Sequence, residues 1–122
     1  MSITVLVADD SEVMRGAIKS LLEGDPEIQL VGEATSFAET MTLTSKLQPQ
    51  VVIMDLHMSD DESLMPFQFK SCLGESRLLV VSFRDDDEAR FLAASYGAVS
   101  FLGKMNLGYH LIPTIKHCAG AS

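Results

Sequence analysis

The sequence is poor in cysteine, in positive charge and in long apolar runs. Only two cysteines occur in 122 residues, Cys72 and Cys118. They lie far apart and in no metal-like spacing, which argues for reduced, incidental thiols in a cytoplasmic protein rather than a disulfide framework. Lysine and arginine number 9 against 17 aspartates and glutamates, a net charge of −8. Direct nucleic-acid binding needs a basic footprint, which this chain lacks, whereas its acidic balance suits cations or basic partners. No apolar run approaches the roughly 20 residues of a membrane span. The start, MSITVLVADDSE, has no basic n-region and no cleavage site, so neither a signal peptide nor membrane association is expected. Internal repeats, low-complexity tracts and linkers are absent, and neither G-x-x-x-x-G-K nor G-x-G-x-x-G occurs, which sets nucleotide-binding folds aside. What remains is 47% hydrophobic. Residues 1–122 read as one domain with a sizeable core and no second domain.

Five apolar runs read as buried strands: Ile3 to Ala8, Ile28 to Val31, Val51 to Met54, Leu78 to Val81 and Ala98 to Leu102. All but the second are nearly continuous, as in parallel strands covered on both faces. Helical periods fill the gaps. Val13, Met14, Ala17, Ile18, Leu21 and Leu22 recur at helical spacing before Gly24; further segments run from about Phe37 to Leu47, Leu64 to Leu73 and Asp86 to Tyr96. Pro113 lacks the N–H that an interior turn needs, so the fifth helix is expected to start late, near Tyr109 or His110. Repeated βα units predict an open α/β parallel sheet with helices on both faces. Right-handed crossovers place every strand's C-terminal end along one edge, where such folds bind ligands.

The polar residues worth notice fall at that edge. Strand one ends in Asp9 and Asp10, strand three in Asp55 and strand four in Ser82; Lys104 closely follows strand five. Each has a plain structural reading: Asp9 or Asp10 as a helix cap, Ser82 as a turn residue, Lys104 as a surface lysine. An acid behind VVIM is harder to assign so, because an unpaired charge in a buried strand is costly. Two carboxylates about 4 Å apart repel by roughly 4 kcal/mol at an effective dielectric of 20. A divalent cation removes that penalty, and oxygen-only ligands favour Mg²⁺. A carboxylate beside Mg²⁺ is also a competent phosphoryl acceptor, with Lys104 and Ser82 of the right type to hold the transferred group.

The segments VLVADDSEVMR, QPQVVIMDLHM, LLVVSF and GAVSFLGK resemble the receiver domains of two-component response regulators, from about Ile3 to Lys116. Within that family, EIQLVGEA, LQPQVVIMDL and RDDDEARFLAASYGA are similar to receivers of helix-turn-helix (LuxR-type) transcriptional regulators. The resemblance implies a single flavodoxin-like (βα)5 domain of strand order 2-1-3-4-5. It implies Asp55 as phosphoacceptor for a sensor histidine kinase. Asp9, Asp10, Asp55 and the main-chain carbonyl of His57 would bind Mg²⁺; Ser82 and Lys104 would contact the phosphoryl group. Phe101 takes the aromatic switch position and, lacking a hydroxyl, would act through packing alone. Inward movement of Ser82 and Lys104 toward a phosphoryl group predicts a phosphorylation-dependent self-association or partner face, such as a homodimer, built from helix four, strand five and helix five and controlling an output such as transcription. The domain would be no enzyme beyond self-phosphorylation and self-dephosphorylation.

Three departures from the family pattern stand out. Residues 58–63 read MSDDES where the family has M-P-G-x-D-G. Phe83 replaces the usual Ala or Gly after Ser82, at a position that modulates access. Met105 replaces the proline after the lysine. They keep a second reading open, a pseudo-receiver that binds partners without phosphorylation. A third is a Mg²⁺-dependent phosphohydrolase, whose D-x-D motif would have to be Asp9-Asp10-Ser11.

Overall fold

The computed structural model describes residues 2–58 and 66–120. Among them, strands and helices alternate in chain order: β1 (Ile3–Ala8), α1 (Glu12–Glu23), β2 (Ile28–Ala34), α2 (Phe37–Leu47), β3 (Val51–Asp55), α3 (Pro66–Cys72), β4 (Arg77–Ser82), α4 (Asp87–Ser95), β5 (Ala98–Gly103) and α5 (Leu107–Cys118). The strands form one sheet of order β2-β1-β3-β4-β5, parallel throughout.

Side chains of period two explain the continuous apolar runs. Leu6, Val52, Met54, Leu78 and Val80 face one layer, where Phe37, Phe69 and Tyr96 pack against one another. The Phe37 and Tyr96 rings stack at 5.4 Å and Phe69 meets Tyr96 edge-on at 5.6 Å. Val5, Val7, Ile53, Leu79 and Val81 face the other, under Ile18 and Leu22 of α1 and Leu111 and Ile115 of α5. Each fully buried side chain of this size contributes about 1.5–3 kcal/mol. Both sheet faces therefore stabilise the domain, and the buried polar residues of the strands, Asp55 and Ser82, lie at strand ends.

Local chemistry sets the helix boundaries. The Ser11 hydroxyl accepts the Met14 N–H, and the Asp86 carboxylate accepts that of Ala89. Ser11, not Asp9 or Asp10, is thus the α1 cap, and the plain reading of those two acids is corrected. Gly97 links α4 to β5 at φ 97°, where a Cβ would lie 3.1 Å from Leu73 Cδ1, so the turn requires glycine.

The late start expected for the fifth helix is also overturned: α5 begins at Leu107 and runs through Pro113. The proline forfeits the bond to the Tyr109 carbonyl. Both residues are exposed, so water can satisfy that carbonyl, while Leu107, Leu111 and Ile115 are drawn onto the sheet. β2 also continues three residues beyond its apolar run, to Ala34. Among the described residues, no helix is long and apolar enough to cross a membrane.

Candidate functional site

Strand register brings the polar residues together. Ala8 pairs with Met54, so Asp9 and Asp55 follow at the same level on adjacent strands. Ser82 pairs with Gly103, so Lys104 emerges beside it. Carboxylate oxygens of Asp9, Asp10 and Asp55 lie within 4.8 Å of one another. Asp9 is wholly buried and Asp55 nearly so, whereas Asp10 is exposed. The crevice therefore has a closed floor and an open acidic lip.

Lys104 enters from the side with its side chain 4% exposed. Its Nζ lies 2.8 Å from Asp9 Oδ2 and 3.1 Å from Asp55 Oδ1. The other Asp9 oxygen accepts the Ser11 N–H at 2.8 Å. Burial raises the Asp55 carboxyl above its ordinary value, Lys104 opposes that, and the Asp9 charge reinforces it; a backbone hydrogen bond from His57 pulls it down. Three carboxylates against one ammonium leave an excess of negative charge. An all-oxygen donor set with that excess fits a hard divalent cation such as Mg²⁺.

The Ser82 hydroxyl is buried and accepts the Arg84 N–H at 3.0 Å, so it is turned into its own loop. The Phe83 ring, 64% exposed, lies 4.9 Å from Lys104 Nζ and covers the lysine rather than turning away. Every described peptide bond is trans, including Lys104–Met105, and a 3-10 turn over Lys104–Asn106 still delivers the lysine to the acids. Met105 is 82% exposed. Of the loop departure only Met58 is described, and it is buried; residues 59–63 lie outside the described residues.

Two arginines that the sequence did not single out pack at the site and beside it. An Arg15 terminal nitrogen donates to the Asp9 carbonyl at 2.8 Å, while its Nε pairs with Glu33. Arg90 lies over the Phe101 ring at 4.7 Å. Phe101 therefore carries a cation–π contact as well as its apolar packing. Both arginines sit on helix faces rich in charge, where periodicity shows only a solvated surface.

Similarity to known proteins agrees with this geometry. The family model for the response regulator receiver domain matches residues 5–116. A protein-glutamate methylesterase/protein-glutamine glutaminase of Syntrophomonas wolfei is 36% identical over 84% of this chain and 30% of its own length. The DNA-binding transcriptional activator DevR/DosR of Mycobacterium tuberculosis is 31% identical over 93% of this chain and 53% of its own. The signal receiver domain of the response regulator NarL from Mycobacterium tuberculosis superposes with a TM-score of 0.87 at 22% identity, covering 99% of this chain and 98% of that one. This chain thus spans about a third to a half of those curated relatives. With the acid cluster at the edge of a 2-1-3-4-5 sheet and the family model matched over nearly all its length, the chain belongs to the response regulator receiver domain family.

Proposed function

We propose that this chain receives a phosphoryl group on Asp55 from a phosphohistidine of a sensor kinase, with Mg²⁺, and relays the change to an output, transcription in the first instance. One observation carries the reading: a buried lysine bridges Asp9 and Asp55 in a cluster that still has excess negative charge. Asp55 Oδ forms the new bond to phosphorus as the phosphorus–nitrogen bond of the donor breaks and its electron pair stays on the imidazole. Lys104 opposes the rise that burial imposes on the Asp55 carboxyl and so favours its ionised form. Its Nζ, already between the acids, has only a short path to a phosphoryl oxygen. Ser82 must exchange its contact with the Arg84 N–H for donation to another such oxygen. Asp9, Asp10 and Asp55, with the His57 carbonyl, are the groups to hold Mg²⁺, which when bound supplies charge neutralisation for carboxylates and phosphoryl oxygens alike.

Transcription is favoured as output by the similarity to DevR/DosR; the methylesterase relatives point to a different one. The α4–β5–α5 surface, with exposed Phe91, Val99 and Tyr109, is the proposed face for phosphorylation-dependent self-association. A second reading, the phosphorylation-independent interaction module, rests on the Phe83 ring that covers Lys104. Intact-mass analysis with Mg²⁺ and a phosphodonor separates the two. The phosphoacceptor reading expects one added phosphoryl group on the wild type and none on Asp55→Asn. A wild type that stays unmodified by both acetyl phosphate and phosphoramidate refutes it.

A further inference from the structure

Arg90 stands outside the acid cluster, yet its contacts tie the β4–α4 loop to strand β5. Its Nε and one terminal nitrogen donate to Asp85 Oδ1 at 2.7 and 2.6 Å. Its guanidinium lies 4.7 Å from the centre of the Phe101 ring. Asp85 belongs to the loop between Ser82 and α4. Its second carboxylate oxygen lies beside Gly103, where a Cβ would come within 3.9 Å of it, and Gly103 precedes Lys104. One side chain thus joins the β4–α4 loop, α4 and β5.

We propose that Arg90 is a positioning residue that latches the unphosphorylated conformation, by holding Asp85 and the Phe101 ring together. The proposal rests on the phosphoacceptor reading and specifies how that site is regulated. Ser82 now accepts a hydrogen bond from within its own loop. To donate to a group on Asp55, the β4–α4 loop must shift relative to β5. Asp85 travels with the loop and Phe101 with the strand, so the shift cannot preserve both contacts of Arg90. Arginine suits this task because a planar guanidinium stacks on a ring by its face while donating through its edge; lysine cannot do both. A groove of ≈ 360 Å³ beside the ring, lined by Arg90, Ala93, Ala94, Ala98 and Phe101, gives the released guanidinium somewhere to go. The resting state then owes part of its population to contacts that the phosphoryl group must outweigh.

The test is the affinity for beryllofluoride, a phosphoryl mimic, in the presence of Mg²⁺, followed by fluorine NMR on wild type, Arg90→Ala, Arg90→Lys and Asp85→Asn. Loss of an exposed cation–π contact and an exposed ion pair from the resting state should tighten binding about fivefold in Arg90→Ala. Arg90→Lys should fall between Arg90→Ala and wild type, and affinity for Mg²⁺ alone should stay the same in all four. Simple electrostatics predicts the opposite sign, since removing a cation weakens the binding of an anion. Equal or weaker binding by Arg90→Ala therefore overturns the latch. A wild type that binds no beryllofluoride overturns the phosphoacceptor reading instead, and the latch falls with it. The Arg90 side chain is half-exposed, so its substitution leaves the core intact; a wild-type-like amide spectrum of Arg90→Ala establishes that folding is not what the affinity reports.

Discussion

Replacing Lys104 by methionine removes the ammonium and keeps most of the apolar stem. At an effective dielectric of 20, the contacts at 2.8 and 3.1 Å correspond to about 5–6 kcal/mol each before desolvation is counted. Desolvation of the lysine offsets much of that, and breaking a buried pair typically costs 3–5 kcal/mol. The Asp10 side of the crevice is open to water, so a loss of about 3 kcal/mol at neutral pH is expected. For a chain of this size that lowers Tm by about 10 °C. The loss should shrink in acid. Asp55 is already raised by burial and would lose the charge that most opposes the rise, so its carboxyl would take up a proton more readily in the folded variant than in the unfolded chain. The folded variant therefore gains on the wild type as pH falls. Added Mg²⁺ should restore part of the stability at neutral pH by replacing the missing positive charge. Urea unfolding near pH 7 and near pH 4, with and without Mg²⁺, measures all three effects. A loss below about 1 kcal/mol at neutral pH, or one of equal size at both pH values, would refute the claim that Lys104 neutralises a buried acid pair.

Further expected outcomes concern the same crevice. Mg²⁺ should bind once, in the millimolar range, with amide shifts at Asp10 and Asp55 in an NMR titration, and Asp10→Asn should weaken it; no shift at tens of millimolar would remove the cation site. Phe83→Ala should raise the rate of phosphorylation by acetyl phosphate, since the ring covers Lys104, and an unchanged rate would show that small donors reach Asp55 past it. Because the folded Asp55 binds its proton more readily than the unfolded one, its ionisation costs stability as pH rises from the unfolded toward the folded value. Asp55→Asn should lack that decline and be more stable than wild type at neutral pH, read as the difference in thermal midpoint across a pH series.

Much of this molecule was legible in one dimension. Near-continuous apolar runs such as Val51–Met54 announce parallel strands because only burial on both faces leaves no polar position. Handed crossovers then force Asp9, Asp10, Asp55, Ser82 and Lys104 to one edge. Their types and spacing carried the family resemblance without any coordinates. Other features depended on three-dimensional packing. Pro113 is a local signal against helix, yet α5 begins early because three buried apolar residues outweigh one carbonyl that water can satisfy. Whether Phe83 covers or leaves the crevice was open until its ring met Lys104. Arg15 and Arg90 were invisible as site residues, since an arginine on a charged helix face gains a role only from what the fold places beside it: the Asp9 carbonyl and Glu33 of β2 in one case, the Phe101 ring of β5 in the other. Periodicity reports which residues leave water. It does not report which long charged side chains reach back over the core, because their partners are set by tertiary contacts and not by spacing along the chain.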